Sequence, residues 1–206
     1  MEDKLLDFKN DCVFLPKLLS DSNLLRPNDL KRLANHFPER FQKTPKWFLS
    51  YSTLKHGISL NTFYHNVQGI APCIIVVQDT KNHIFGAYVS EKWVKDSKSY
   101  YGTGECFLFK ITPHFEAFHS TKQNNYYQLS STEFIAMGGG VKRSSYGIYL
   151  DKEFMNGSSE PCDTFDNSCL ASTDHFQILV LEVWTFAKRD SIHDVPNTVK
   201  KKLRKY

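Results

Sequence analysis

One stretch of the sequence, residues 100–111, constrains the fold more than any other. Gly102 and Gly104 precede a run of aromatic and β-branched residues there, and such a run packs well on a pleated surface, so it predicts a β-strand. Alternate residues of a strand share a face. One face then carries Phe107, Phe109 and Ile111. The other carries Cys106 and Leu108. Because both faces are apolar, we expect a central strand that is covered on both sides.

Glu105 stands at the start of this strand and begins the same row as Phe107. A carboxylate at the mouth of an apolar row needs hydrogen-bond donors or a cation, since burying an unpaired charge is very costly. Glu105 therefore either ties a loop down or belongs to a site.

The rest of the chain predicts a mostly β protein. Helices are expected at about residues 28–37, with Asn28 as the cap, and at 60–68 after Ser59. Residues 156–175 are rich in Ser, Asp and Asn and predict a long loop. Strands are expected at 47–52, 73–77, 84–89, 105–111, 126–129, 134–137, 146–150 and 177–186. This pattern predicts an α+β fold in which two antiparallel sheets form a β-sandwich flanked by a few helices.

The chain of 206 residues is long enough for one domain with extensions. We expect an N-terminal arm at 1–27, the domain at 28–187 and a basic tail at 188–206. No stretch approaches the ~20 apolar residues that span a bilayer, and the first residues lack the layout of a signal peptide. The cysteines are odd in number and lack metal-type spacing, which favours reduced thiols inside the cell. They are Cys12, Cys73, Cys106, Cys162 and Cys169.

The positive charge of the chain belongs to its end. The net charge is +4, and five basic residues between Lys200 and Lys205 contribute more than that, so the remainder is close to neutral. A nucleic-acid-binding domain would carry a basic patch on the fold itself, so we expect no nucleic-acid partner. The Lys200–Lys205 tail predicts at most a weak contact with anionic membranes.

Catalytic interpretations have weaker support than structural ones. Glu105 and Glu182 could form an acid–base pair, but Glu182 lies in an apolar strand pattern, where a structural carboxylate is expected. Cys106 has no neighbouring cation to favour a thiolate. His114 and His119 face opposite sides of their segment, which disfavours zinc. We predict no catalytic residue, metal or cofactor.

Gly138, Gly139 and Gly140 do not form a dinucleotide fingerprint, because strand-like sequence flanks them on both sides. They predict either a bend where two backbones approach closely or a flexible loop. In the second case the loop would present Lys142 and Arg143 to an acidic partner. The sequence leaves both interpretations open.

Taken together, these stretches resemble the TLDc domain of the oxidation-resistance protein family. The matching segments keep the family's order and cover about residues 30–187. They are 55–57 with Ser59, Leu60 and Tyr64, then 84–87, 100–107, 137–140, 162–167 and 182–186. The resemblance implies a β-sandwich flanked by helices, a part in resistance to oxidative damage and binding to the vacuolar proton pump (V-ATPase). The family offers no agreed reaction.

We therefore expect a monomeric, non-enzymatic module that binds the peripheral (V1) sector of the V-ATPase and regulates its assembly. The alternative is an enzyme, either a thiol-dependent peroxide-handling protein or a hydrolase using Glu105. By family analogy the protein is cytoplasmic and recruited to vacuolar or lysosomal membranes, with mitochondrial or nuclear pools. The candidate binding residues are Gly102, Gly104, Glu105, Gly138, Gly139, Gly140, Lys142 and Arg143.

Overall fold

The computed structural model describes residues 15–44, 46–140 and 145–186. Within these residues the chain forms four helices and eleven strands. The helices are α1 (Pro27–His36), α2 (Glu39–Gln42), α3 (Thr53–His56) and α4 (Leu60–Val67). The strands are β1 (Lys17–Leu18), β2 (Lys46–Ser52), β3 (Cys73–Asp79), β4 (Ile84–Val89), β5 (Phe107–Lys110), β6 (Glu116–His119), β7 (Gln128–Ser130), β8 (Phe134–Met137), β9 (Ile148–Asp151), β10 (Asn156–Ser158) and β11 (His175–Phe186).

Strand β11 connects the β-structure into one network. Hydrogen-bonded neighbours follow the order β6-β5-β4-β3-β11-β10-β9-β8-β7, and β2 also pairs with β11. The C-terminal half of β11 lies between β2 and β3, with Glu182 opposite Ser52 and Val76, whereas its first residues pair with β10. Of the described pairs, β1 with β2 is parallel and the named ladders along the path are antiparallel.

The first hydrophobic core draws on both halves of this network. Ile75 of β3 and Leu108 of β5 belong to the same buried cluster as Ile135 of β8 and Leu150 of β9. Phe63 and other apolar side chains of α4 join that cluster. The strands on either side of β11 therefore enclose a common core, and the expected mostly β fold with marginal helices is confirmed. The strands are joined through β11 rather than separated into two unconnected sheets.

The second core lies on the opposite face of the β2–β6 strands and is covered by α1. Leu33 and Phe37 pack there against the aromatic side chains of the sheet. The Phe37 ring centroid lies 4.7 Å from that of Phe186, and Tyr88 stacks on Phe107 at 5.3 Å. Burying each such side chain stabilises the fold by about 1.5–3 kcal/mol. Both faces of β5 are thus covered, as its apolar pattern predicted.

The start of α1 differs from the prediction. The helix begins at Pro27, and Arg26 rather than Asn28 is the cap residue. Proline suits the first helical position because its fixed φ matches the helix and its missing N–H has no partner there. The Asp29 carboxylate accepts a hydrogen bond from the Arg26 backbone N–H at 2.9 Å, which holds the turn in place.

The other corrections concern short strands. Residues 156–175 were expected to be one loop, but Asn156–Ser158 forms β10 between β9 and β11. The sequence pattern also omitted β6, whose side chains are half-buried or exposed, and β1. Glu105, expected to begin the strand, lies in the turn before β5, where Cys106 N–H donates to the Thr103 carbonyl at 3.0 Å.

Candidate interaction surface

Two glycine-containing segments that are far apart in the sequence meet on either side of residues 126–128. Tyr101 and Gln128 exchange backbone hydrogen bonds of 2.9 Å. On the other side, the Gly138 N–H donates to the Tyr127 carbonyl at 3.1 Å. The Tyr100 and Tyr126 rings stack with centroids 4.5 Å apart. We call this region, formed by residues 100–105, 124–127, 138–140 and 162–167, the glycine-loop surface.

Gly102 and Gly104 both lie close to the Tyr127 side chain. Gly102 has a φ of +102°, and a Cβ atom there would lie 3.0 Å from Gln128 Oε1. A Cβ atom on Gly104 would lie 3.3 Å from the Tyr127 hydroxyl. Gly104 itself is exposed, so backbone is presented to solvent at this point.

The second glycine segment is largely covered. Gly138 has a φ of +80°, and a Cβ atom there would lie 2.7 Å from Cys162 Sγ. A Cβ atom on Gly139 would lie 2.5 Å from the Tyr100 hydroxyl. Both glycines are buried and Gly140 is half-buried, so a partner on this side has access to Gly140 first. Lys142 and Arg143 lie outside the described residues.

Glu105 forms a two-pronged ion pair with Arg40 of α2. The two guanidinium NH groups of Arg40 donate to the two carboxylate oxygens of Glu105. The hydrogen bond with Glu105 raises the pKa of Arg40. About a third of the Glu105 side chain and half of the Arg40 side chain remain exposed. The pair therefore places opposite charges side by side at the edge of the glycine-loop surface and ties α2 to it.

Glu182 is fully buried and surrounded by hydrogen-bond donors. Ser22 Oγ donates to Oε2 at 2.6 Å, and the Asn23 backbone N–H donates to Oε1 at 2.8 Å. The indole Nε1 of Trp184 donates to Oε2 at 3.0 Å. These bonds fasten the segment before α1 to the middle of β11. The geometry is that of a structural carboxylate, and these three donors are neutral groups.

Three thiols, those of Cys73, Cys106 and Cys162, are buried. Burial raises the pKa of the Cys106 thiol, and it raises the pKa of Cys73 to about 12. Cys162 is also buried with a raised pKa, and its Sγ lies 3.1 Å from Asn167 Oδ1. Since the thiolate is the nucleophile in cysteine chemistry, these side chains are poor candidates for peroxide reduction.

Two histidines, His36 and His119, lie next to each other, which the sequence did not predict. His36 Nδ1 lies 2.9 Å from His119 Nε2. His36 and His114 both line a surface depression of about 610 Å³. Desolvation lowers the pKa of both His36 and His119. Among the described residues, no group of three or more His, Cys, Asp or Glu side chains could hold a metal ion.

Comparison with known proteins identifies the family. Residues 18–187 match the family model described as the TLDc domain, which is more than three quarters of the chain. The chain belongs to the TLDc family. Human nuclear receptor coactivator 7 is 40% identical over 173 residues. Human oxidation resistance protein 1 is 37% identical over 174 residues, and the Xenopus laevis protein of the same name is 38% identical over 174 residues.

Each of these alignments covers 84% of this chain but only 18–20% of the relative. The chain therefore spans about a fifth of the length of these TLDc relatives. In the part of the chain that the structure describes, no helix is long and apolar enough to cross a membrane.

The TLDc motif at residues 162–167 has a structural explanation. The Asn167 Nδ2 group donates to the Glu160 carbonyl at 2.9 Å. Thr164 Oγ1 donates to the Gly139 carbonyl at 2.8 Å and receives the Gly139 N–H at 3.0 Å. The motif thus holds the second glycine segment in place. The sequence did not predict this role of residues 162–167 or the pairing of Arg40 with Glu105, because neither has a local sequence pattern.

Proposed function

We propose that this chain is a non-enzymatic TLDc interaction module that binds the peripheral (V1) sector of the V-ATPase and regulates its assembly. Through that regulation it contributes to resistance against oxidative stress. Membership of the TLDc family supports the general part of this proposal, as do relatives that carry the name oxidation resistance protein. The pump as partner comes from the resemblance of the sequence motifs.

The observation that carries the proposal is the construction of the glycine-loop surface. Its loops are fixed by backbone hydrogen bonds at Gln128 and by the Thr164–Gly139 pair. A fixed surface loses little conformational entropy on binding, because its side chains and loops are already ordered. At its edge, the Arg40–Glu105 pair is partly exposed, so a partner can reach one cation and one anion there.

Binding alone suffices for regulation. A protein that binds the free peripheral sector and the assembled pump with different affinities shifts the equilibrium between them, and equal affinities shift nothing. With the pump as partner, and by family analogy, we propose that the protein is cytoplasmic and is recruited through the pump to vacuolar or lysosomal membranes.

The environments of the carboxylates and the thiol that could react favour an interaction module over an enzyme. Both oxygens of Glu105 are engaged by Arg40, Glu182 is enclosed by donors, and burial raises the pKa of Cys106. A general base or thiolate nucleophile needs freer groups than these. Peroxide turnover by the purified protein that is lost in Cys106→Ser would overturn this part.

The test is co-sedimentation of purified variants with purified peripheral sector. Arg40→Glu places two carboxylates together at the edge of the surface, and Lys142→Glu/Arg143→Glu reverses the charges that follow Gly140. Both are expected to bind more weakly than wild type. Wild-type binding is expected to decline as salt rises, because exposed charges are screened.

The matched control is Lys152→Glu. Lys152 also forms an exposed ion pair, with Glu133 at 2.8 Å, but outside the glycine-loop surface, so binding should be unchanged. Equal binding by all four proteins would remove this surface from the interface. Failure of wild type to bind at any salt concentration would remove the pump as partner.

A further inference from the structure

His36 and His119 face each other where α1 meets the sheet. His36 is the last residue of α1 and His119 the last residue of β6. His36 Nδ1 lies 2.9 Å from His119 Nε2, and the ring centroids are 5.1 Å apart. At that distance one proton at most fits between the two nitrogens, so at least one of them presents a lone pair. The pair has no part in the proposed function above.

The position of the two rings is set by the fold. The His119 ring lies 5.2 Å from the buried Phe107 ring, and the His36 ring lies 5.6 Å from Phe115. Helix α1 is itself anchored through Leu33 and Phe37 in the second core. The two nitrogens are therefore held near each other by packed elements, rather than meeting at the ends of two free side chains.

Such a pair matches the ligand geometry of a metal ion. Imidazole is a preferred ligand of Zn²⁺ and of neighbouring divalent metals. With Zn–N bonds of about 2.0–2.1 Å and tetrahedral angles, two donor nitrogens lie roughly 3.3 Å apart. A widening of a few tenths of an ångström would replace the N–H···N contact by two metal–nitrogen bonds.

We propose that His36 Nδ1 and His119 Nε2 form a binding site for a divalent transition-metal ion of the Zn²⁺ type, with water in the remaining positions. His119 is exposed and His36 half-buried, so the ion and its water ligands have access from solvent. Each ring keeps its proton on the nitrogen that faces away from the metal. The ion would cross-link the end of α1 to the edge strand β6 and, by binding the folded state, stabilise the protein.

The experiment is a calorimetric titration of the untagged protein with ZnCl₂ after removal of bound metal. One ion per chain is expected, together with a rise in melting temperature when zinc is present. His36→Gln and His119→Gln should each weaken binding by at least roughly tenfold, because even a group that only orients a ligand is worth about 10–100-fold. Because His119 is exposed, His119→Gln should keep the fold, and its melting temperature without zinc checks this.

The matched control is His65→Gln, since His65 is exposed and lies on α4, which carries neither histidine of the pair. It should bind zinc as wild type does. Titration with Co²⁺ distinguishes the ligands, because nitrogen and oxygen ligands give no thiolate charge-transfer band. The proposal is overturned if wild type binds no zinc or if the two histidine variants bind it unchanged. A thiolate band that disappears in Cys169→Ser would also overturn it, since the ion would then be at a cysteine.

Discussion

At the scale of single residues, Glu182 shows how one polar group fixes two distant parts of the chain. Its carboxylate lies in the middle of β11, and its donors include Ser22 and Asn23, which are 160 and 159 positions away. The donors compensate the cost of burying the charge. Loss of the charge should therefore loosen the segment before α1 as well as the sheet.

We predict that Glu182→Gln lowers the free energy of unfolding by roughly 1.5–3 kcal/mol, the range for hydrogen bonds to charged groups. Denaturant unfolding measures this. Glu133→Gln is the matched control, because Glu133 pairs with Lys152 and 63% of its side chain is exposed, and it should change stability by less than about 0.5 kcal/mol. Equal effects of the two substitutions would show that Glu182 is not a structural anchor.

A second residue-scale prediction separates backbone strain from packing at two glycines. Gly57 and Gly138 both have positive φ, but a Cβ atom on Gly57 would meet nothing within 4 Å, while one on Gly138 would meet Cys162 Sγ at 2.7 Å. Gly57→Ala should cost roughly 1–2 kcal/mol through strain alone. Gly138→Ala should cost a further 1–3 kcal/mol or so, because it also overpacks the core. Thermal unfolding of both variants measures the two losses of stability. A smaller loss for Gly138→Ala than for Gly57→Ala would contradict the prediction.

At this scale the sequence could predict that a residue needs a partner, but it could not predict which residue is the partner. The apolar row around Glu105 indicated that its carboxylate requires donors or a cation, and Arg40 supplies them from a helix 65 positions earlier. Nothing in the local sequence around Arg40 marks it for this pair. The meeting of His36 and His119 escaped for the same reason, since tertiary packing rather than sequence spacing brings them together.

At the scale of elements, Asp79 holds the β3–β4 hairpin to the segment before β11. Its Oδ1 accepts the backbone N–H groups of Lys81 and His83 at 2.9 Å each, and its Oδ2 accepts that of Ser172 at 2.9 Å. Burial raises the pKa of Asp79, but the hydrogen bonds from these groups outweigh it, and the net pKa is lowered.

This arrangement predicts a pH-dependent contribution to stability. A carboxyl whose pKa is lower in the folded state stabilises the protein fully above its unfolded pKa, about 3.9, and loses that effect as pH falls through the folded value. Asp79→Asn should therefore lower the free energy of unfolding by roughly 1–3 kcal/mol at neutral pH. The difference from wild type should shrink as pH falls below about 4. Urea unfolding of both proteins across this pH range tests the prediction. A difference in stability that stays constant with pH would contradict the role assigned to Asp79.

Whether a strand could be predicted from the sequence depended on how far its side chains are buried. Strands β3, β4, β5 and β8 are buried along nearly their whole length, and their apolar runs marked them in the sequence. Strand β10 has the sequence Asn-Gly-Ser, and its Gly157 lets Phe176 and the Tyr149 backbone approach closely. Glycine is depleted in strands in general, so a composition typical of loops concealed a strand that exists only because its neighbours pair with it.

At the scale of the whole molecule, the long strand β11 organises two cores. Its C-terminal half pairs with β2 and with β3, and its start pairs with β10. Through β11, the strands that close the first core are therefore linked to the strands that carry the second core. The segments that resemble the TLDc domain lie on this frame, on the glycine-loop surface and, at residues 55–64, at α3 and α4. Fold and family could therefore be predicted from the sequence, whereas the geometry of the surface depends on contacts between distant segments.

We propose that this chain regulates the pump by binding its states unequally. The most direct measurement is the dissociation constant of the purified chain for free peripheral sector and for assembled pump in membranes, in one buffer. We predict binding to at least one state and a difference of roughly 5-fold or more between the two dissociation constants, the size of a typical coupling. Equal dissociation constants would contradict regulation by binding, and absence of binding to both states would contradict the assignment of the pump as partner.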